Sequence, residues 1–225
     1  MANTILSLHE ASRTVNSGSN KVTILDDINL QVEEGEFISL MGPSGSGKST
    51  LLNCLGMLDA FTDGAYTFLG QSVHRMKEKD RSKLYKEYIG FVFQAYHLID
   101  ELKVYENIET PLLYKGVKSS ERKAMVADML DRFGIVGKKD LFPQQLSGGQ
   151  QQLVGIMRAL IGEPKLILAD EPTGNLNSKQ STEIMQLFAE LNKEGVTIIQ
   201  ATHSEENAAY GSRIINLLDG KIISQ

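Results

Sequence analysis

A single cysteine, Cys54, stands in the 225 residues. An intrachain disulfide framework is thereby excluded, which fits a reducing compartment. Cys54 lies among Leu51, Leu52 and Leu55 and reads as a buried core thiol. An excess of positive charge is also missing. The formal net charge is −5, which excludes a broad basic surface for nucleic acid. The basic run Lys77, Lys79, Arg81, Lys83 is interleaved with Glu78, Asp80 and Glu87 and reads as a solvated face. No apolar stretch approaches the length of a membrane span. The N-terminus lacks the basic start and long apolar run of a secretory signal. Any work at a membrane would need its crossing from another chain. Internal repeats, low-complexity tracts and long linkers are absent as well. The length suits one sizeable α/β core with a subdomain.

Along the chain, residues 4–8 and 21–32 alternate apolar and polar, as half-buried strands do, with Asn16-Ser17-Gly18-Ser19-Asn20 as a hairpin turn between them. Residues 37–41 read as a buried strand, 42–47 as a glycine loop and 48–58 as a helix. A turn and strand follow over 62–73, a helix over 79–88 and an apolar strand over 89–93. From 101 to 161 the pattern is mainly helical, for example over 121–133. Residues 166–169 and 197–201 are buried strands around an amphipathic helix over 178–194. Residues 214–218 and 221–223 form a terminal hairpin about Asp219-Gly220. Buried strands alternating with helices predict a mostly parallel sheet.

Gly42-Pro43-Ser44-Gly45-Ser46-Gly47-Lys48-Ser49 matches G-x-x-x-x-G-K-[ST] between a buried strand and a helix. Glycines let successive N–H groups converge on phosphate oxygens, and the helix directs its positive end there. Lys48 is expected to contact the β- and γ-phosphates and Ser49 to hold Mg²⁺. The apolar run Leu166-Ile167-Leu168-Ala169 ends in two carboxylates, Asp170 and Glu171. Asp170 can reach the metal through water, and Glu171 can act as general base on the attacking water. Two solvated acids at a strand end are the alternative; a phosphate loop in the same sheet favours the functional pair.

Leu146-Ser147-Gly148-Gly149-Gln150 opens a helical stretch reaching Leu160. Ser147 with Gln150 makes a capping-box pattern. Two glycines in a first helical turn cost about 1 kcal/mol each, and a purely structural cap has no need of them. They let an anion approach bare N–H groups. One chain thus offers two anion-gripping helix starts, and a nucleotide has one polyphosphate tail. Two chains sharing each nucleotide is the implied arrangement.

Together these residues resemble the nucleotide-binding subunit of ABC transporters over nearly the whole chain. Residues 42–50, through Thr50, resemble the Walker A loop, 146–150 the signature motif, and 166–171 Walker B with its catalytic glutamate. Gln94, after Val92-Phe93, falls at the Q-loop glutamine, which touches Mg²⁺ and senses the membrane partner. His203 falls at the switch histidine, which contacts the γ-phosphate. The resemblance implies a RecA-like P-loop NTPase core with a mostly parallel sheet, an antiparallel β subdomain, and an inserted α-helical subdomain at about 94–161. All of 1–225 would form one ABC ATPase domain. It implies ATP and Mg²⁺ as cofactors, a head-to-tail homodimer or pseudo-dimer, and a membrane permease. Each ATP would lie between one copy's Walker A loop and the partner copy's signature residues, Ser147, Gly149 and Gln150. The segment 95–99 would lie beside the groove for the permease's coupling helix. Because the chain ends at Gln225, the permease is expected to be a separate polypeptide, with this protein cytoplasmic and peripheral on the membrane's inner face. The subgroup serving lipoprotein release, macrolide export and bacitracin-type efflux is most similar, on Phe91-Val92-Phe93-Gln94, Gln150-Gln151-Gln152 and 168–174. A non-transporting ABC ATPase that signals to a membrane partner, as in cell division, is the alternative.

Three residues depart from that family pattern. Val15 replaces the aromatic that stacks on adenine; no Phe, Tyr or Trp precedes Phe37, so weaker or less base-selective binding is expected. Asn177 replaces the D-loop aspartate, which puts communication between the two ATP sites in question. Leu153 replaces the arginine that often follows the signature glutamines.

Overall fold

A computed structural model describes residues 3–18 and 20–224. The elements in chain order are β1 (Thr4–Ser17), β2 (Asn20–Glu33), β3 (Phe37–Met41), α1 (Lys48–Leu55), β4 (Asp63–Phe68), β5 (Gln71–Ser72), α2 (Glu78–Tyr88) and β6 (Ile89–Phe93). Then come α3 (Val104–Tyr114), α4 (Ser119–Arg132), α5 (Gly148–Leu160), β7 (Leu166–Asp170), α6 (Ser178–Lys193), β8 (Thr197–Ala201), α7 (Glu205–Ala208), β9 (Arg213–Leu218) and β10 (Lys221–Ser224).

Two sheets result. The larger runs β10-β9-β3-β8-β7-β6. Its pairings β9–β3, β3–β8, β8–β7 and β7–β6 are parallel, and only the β10 edge is antiparallel. β3, β7 and β8 are buried along nearly their whole length, as strands covered on both faces must be. The smaller sheet, β2-β1-β4-β5, is antiparallel throughout. One apolar cluster joins the two sheets through α1, using Leu6, Leu25, Leu51, Leu55 and Leu168. A second lies on the other face of the large sheet, where Phe188 and Met185 of α6 meet Ile156 of α5 and Ile198. A third holds α3, α4 and α5 together around Val104, Leu130 and Val154.

Several expected boundaries move. β1 continues to Ser17 instead of stopping at Leu8. Bulges between Leu8 and Thr14, with Glu10 at φ 50°, let the strand bend and keep pairing where its alternation breaks. The turn before β2 includes Ser19, which lies outside the described residues. α1 ends at Leu55 rather than Leu58, because Gly56 packs against the Phe91 ring and Met57 takes φ 61°. Residues 62–73 form a short hairpin, β4–β5, and the start of a 3₁₀ turn rather than a single strand. Cys54 is buried as expected.

Candidate nucleotide site

Four neighbouring parallel strands, β3, β8, β7 and β6, release the key segments at their carboxyl ends. They deliver, in spatial order, the 42–47 loop, His203, the Asp170-Glu171 pair and Gln94. Ligands bind at this edge of open α/β sheets. A cleft of about 900 Å³ is lined there by Ile24, Ser44, Gly45, Gly47, Lys48, Ser49, Thr50, Gln94, Asp170, Glu171 and His203.

The loop's shape depends on glycine at two points. A Cβ on Gly42 would lie 2.1 Å from the Leu217 carbonyl oxygen of β9. Gly47 has φ 105°, and a Cβ there would lie 2.9 Å from Leu25 Cδ2. Ser46 is buried; its carbonyl accepts from Gly220 N–H at 3.0 Å, tying the loop to the β9–β10 turn. Lys48 is buried, and its Nζ donates to the Gly42 and Pro43 carbonyls at 2.7 and 3.0 Å. An ammonium carries three donors, so one is left for an anion held by the loop. Gly42, Pro43 and Ser46 are not among the residues that line the cleft.

Glu171 sits at φ 45°, in the left-handed region, which costs a non-glycine residue about 1–3 kcal/mol. Its N–H donates to Ala201 O and its carbonyl accepts from Gly174 N–H, both at 3.0 Å. These bonds hold the strained residue at the end of β7. The carboxylate meets His203 Nδ1 at 2.9 Å. A carboxylate only accepts, so the shared proton belongs on Nδ1. Asp170 Oδ1 is buried and has no hydrogen-bond partner.

The second glycine motif lies elsewhere. Ser147 Oγ accepts from Gln150 N–H at 3.4 Å, and Gln150 Oε1 accepts from Ser147 N–H at 3.1 Å, completing the capping box. Ser147, Gly149 and Gln150 border a small cleft of about 270 Å³ with Leu153 and residues of α6. Gly148 faces the Tyr96 hydroxyl. One chain therefore does not bring the two grips together.

The departures also find places. Asn177 caps α6, its Oδ1 accepting from Gln180 N–H at 3.0 Å, a role any Asp or Asn fills. Leu153 packs against the helical cluster. Ile24 is the extra residue of a β2 bulge between the Arg13–Leu25 and Thr14–Thr23 pairs, which accounts for its side chain at the cleft. Sequence reasoning named Gln152 only within the run Gln150-Gln151-Gln152 and assigned no role to Gln152, Asn175 or Asn207. Gln152 Nε2 donates to the Pro172 carbonyl at 2.5 Å. Asn175 bonds Gln94, and Asn207 Nδ2 donates to Thr173 Oγ1 at 2.8 Å. Only Gln152 carried a signal, as an amide four residues before Ile156 on the apolar stripe of its helix.

The family model described as ABC transporter matches residues 25–174. The macrolide export ATP-binding/permease protein MacB of Acinetobacter baylyi is 46% identical over 220 residues, covering 98% of this chain and 33% of that protein. The chain thus spans about a third of the length of such relatives. An ABC transporter ATP-binding protein of Bacillus subtilis, YvrO, is 43% identical and matched over 97% of this chain and 96% of its own length. A dimeric, post-hydrolysis structure of the ATP-binding cassette MJ0796 bound to ADP and Pi superposes with TM-score 0.90 at 40% identity, covering 97% of each chain. The fold is the RecA-like P-loop ATPase core expected from the sequence. The chain belongs to the ABC transporter family.

Proposed function

We propose that two copies of this cassette, or one copy and a close relative, clasp two ATP molecules head to tail and drive a membrane permease of export type. Residues 1–225 act as one ABC ATPase domain, with a helical subdomain at about 94–161. The observation that carries this reading is the separation of the two grips. The loop of Lys48 and the helix start of Ser147 border different clefts of one chain, so a second copy must bring its Ser147, Gly148, Gly149 and Gln150 to this chain's nucleotide. The solved MJ0796 cassette is itself dimeric.

Within each cleft, backbone N–H groups of 42–50 and the remaining Lys48 donor hold the β- and γ-phosphates. Glu171 takes a proton from the attacking water, and His203, bonded to Glu171, faces the terminal phosphate. Ser49, Asp170 and Gln94 would hold Mg²⁺. The fit rests on the partnerless Asp170 oxygen, and on donor chemistry. Among the described residues no three or more His, Cys, Asp or Glu cluster as a metal cage. Mg²⁺ needs only one or two protein oxygens beside phosphate and water. When bound, it neutralises charge on the phosphates.

Relatives that join ATP-binding and permease functions in one protein support a place on the cytoplasmic face of a membrane. No helix among the described residues is long and apolar enough to cross one. The decisive test is the Glu171→Gln chain with Mg·ATP in analytical ultracentrifugation. A nucleotide-dependent dimer is expected, with ATPase turnover lowered by roughly 10²–10⁴. A species that stays monomeric at saturating Mg·ATP, alone and with its permease, refutes the clasp.

A further inference from the structure

Gln152 stands in α5, one turn beyond Gly149, and is fully buried. Its Nε2 donates to the Pro172 carbonyl, and its Oε1 is buried without a partner. An unpaired buried acceptor costs about 1–3 kcal/mol. Leu or Met would fill the same volume and remove that acceptor, but would leave the Pro172 carbonyl without its donor. Packing alone therefore does not account for an amide at this position.

What the amide reaches is the residue after Glu171. The turn it grips is held from other sides too. Asn207 binds Thr173 from α7, the helix just after His203. Gln94 binds Asn175 from the end of β6. Gln152 alone among these ties the turn to the helix that opens with Ser147 and Gly149. In the shared-nucleotide arrangement, on which this inference rests, α5 faces the partner's nucleotide while Glu171 faces its own.

We propose that Gln152 is a positioning residue that couples the two ATP sites within one chain. Closure of α5 on one nucleotide pulls on Pro172 through the Nε2–carbonyl bond and sets the backbone of the strained Glu171 at the other. Hydrolysis at the two sites is cooperative for that reason.

The test uses the full chain as Gln152→Leu and Gln152→Met beside the parent, with a Glu171→Gln version of each. Nucleotide affinity of the monomer and ATP-dependent dimerisation in the Glu171→Gln versions should be retained. Turnover should fall roughly ten- to a hundredfold, the scale of a small misplacement of a reacting group. The Hill coefficient should drop from near the limit of about 2 set by two sites towards about 1. If the parent dimerises and hydrolyses cooperatively and both variants keep its kcat and Hill coefficient, the coupling role is wrong. If both variants melt early and lose dimerisation together, Gln152 is a packing residue and the proposal also fails. A parent that never dimerises overturns the shared-nucleotide reading, and this inference with it.

Discussion

Gln94 and Asn175 are hydrogen-bonded in both directions: Gln94 Nε2 lies 3.3 Å from Asn175 Oδ1, and Asn175 Nδ2 donates to the Gln94 carbonyl at 2.9 Å. The pair joins the end of β6 to the turn beyond Glu171. Beside it, Gly174 leaves room for the Gln94 amide: a Cβ there would lie 2.6 Å from Gln94 Nε2. That atom is the far end of an exposed, flexible side chain, and Gly174 does not have a positive φ. Gly174→Ala should therefore displace Gln94 without unfolding the turn. The melting temperature should stay within a few degrees while turnover at saturating ATP falls roughly tenfold or more. Thermal melts and steady-state kinetics on the same sample check this.

Gly149 offers a sharper separation of stability from assembly. It lies in the first turn of α5, where Ala is about 0.5–1 kcal/mol better than Gly in a helix. Its added Cβ would lie 2.8 Å from Gln180 Nε2 of α6, a side-chain end that can swing aside at the loss of only a long, 3.4 Å bond from Asn177 N–H to its Oε1. The methyl would also cover the N–H groups proposed to face the partner's phosphate. Gly149→Ala should fold at least as well as the parent and bind ATP as a monomer. In the Glu171→Gln background, it should fail to dimerise at ATP concentrations that saturate the parent, as read by light scattering.

Much of this site is legible in the sequence because its determinants are local. The loop of 42–49, the Ser147–Gln150 box and the carboxylates after 166–169 are short spacings whose geometry follows from strand, turn and helix rules. The strand order β3-β8-β7-β6 is what makes one cleft of them, and it is set by packing over the whole sheet. Gln152 with Pro172, Asn175 with Gln94 and Asn207 with Thr173 are separated by 20, 81 and 34 residues, so no spacing rule reveals them. The long β1 was hidden for another reason. Its bulges break the two-residue alternation by which strands are recognised.

Cys54 gives the fold a pH signature. Burial, with Asp59 adding and Arg13 opposing, pushes its thiol from an ordinary value of 9.0 up to about 12. The unfolded chain thus releases this proton at lower pH than the folded chain. Stability is fully present below pH 9.0 and is lost as pH rises towards about 12. Tyr66, also raised by burial and donating to the Leu55 carbonyl, contributes in the same direction. The Cys54 share is therefore the difference from Cys54→Ala, whose denaturant midpoint should fall less steeply across that range. The native thiol should also resist alkylation at pH 8 until denaturant unfolds the chain.

The arm expected to carry the base is aliphatic. Ile24 reaches the cleft from the β2 bulge, and Val15 pairs with Val22, the second pair beyond that bulge. Val15 is half-buried and Val22 is 47% exposed, so this arm presents branched side chains where a base could rest. Branched side chains supply contact area but no π-face for stacking. An aromatic platform under a base is worth about 1–3 kcal/mol in nucleic-acid systems. Val15→Tyr keeps a residue that strands favour and restores such a face. ATP affinity should rise about tenfold in that variant, with a smaller change for inorganic triphosphate, which has no base to stack. Calorimetric titration of both ligands separates the two contributions. Equal or weaker ATP binding in Val15→Tyr would show that this arm does not carry the base.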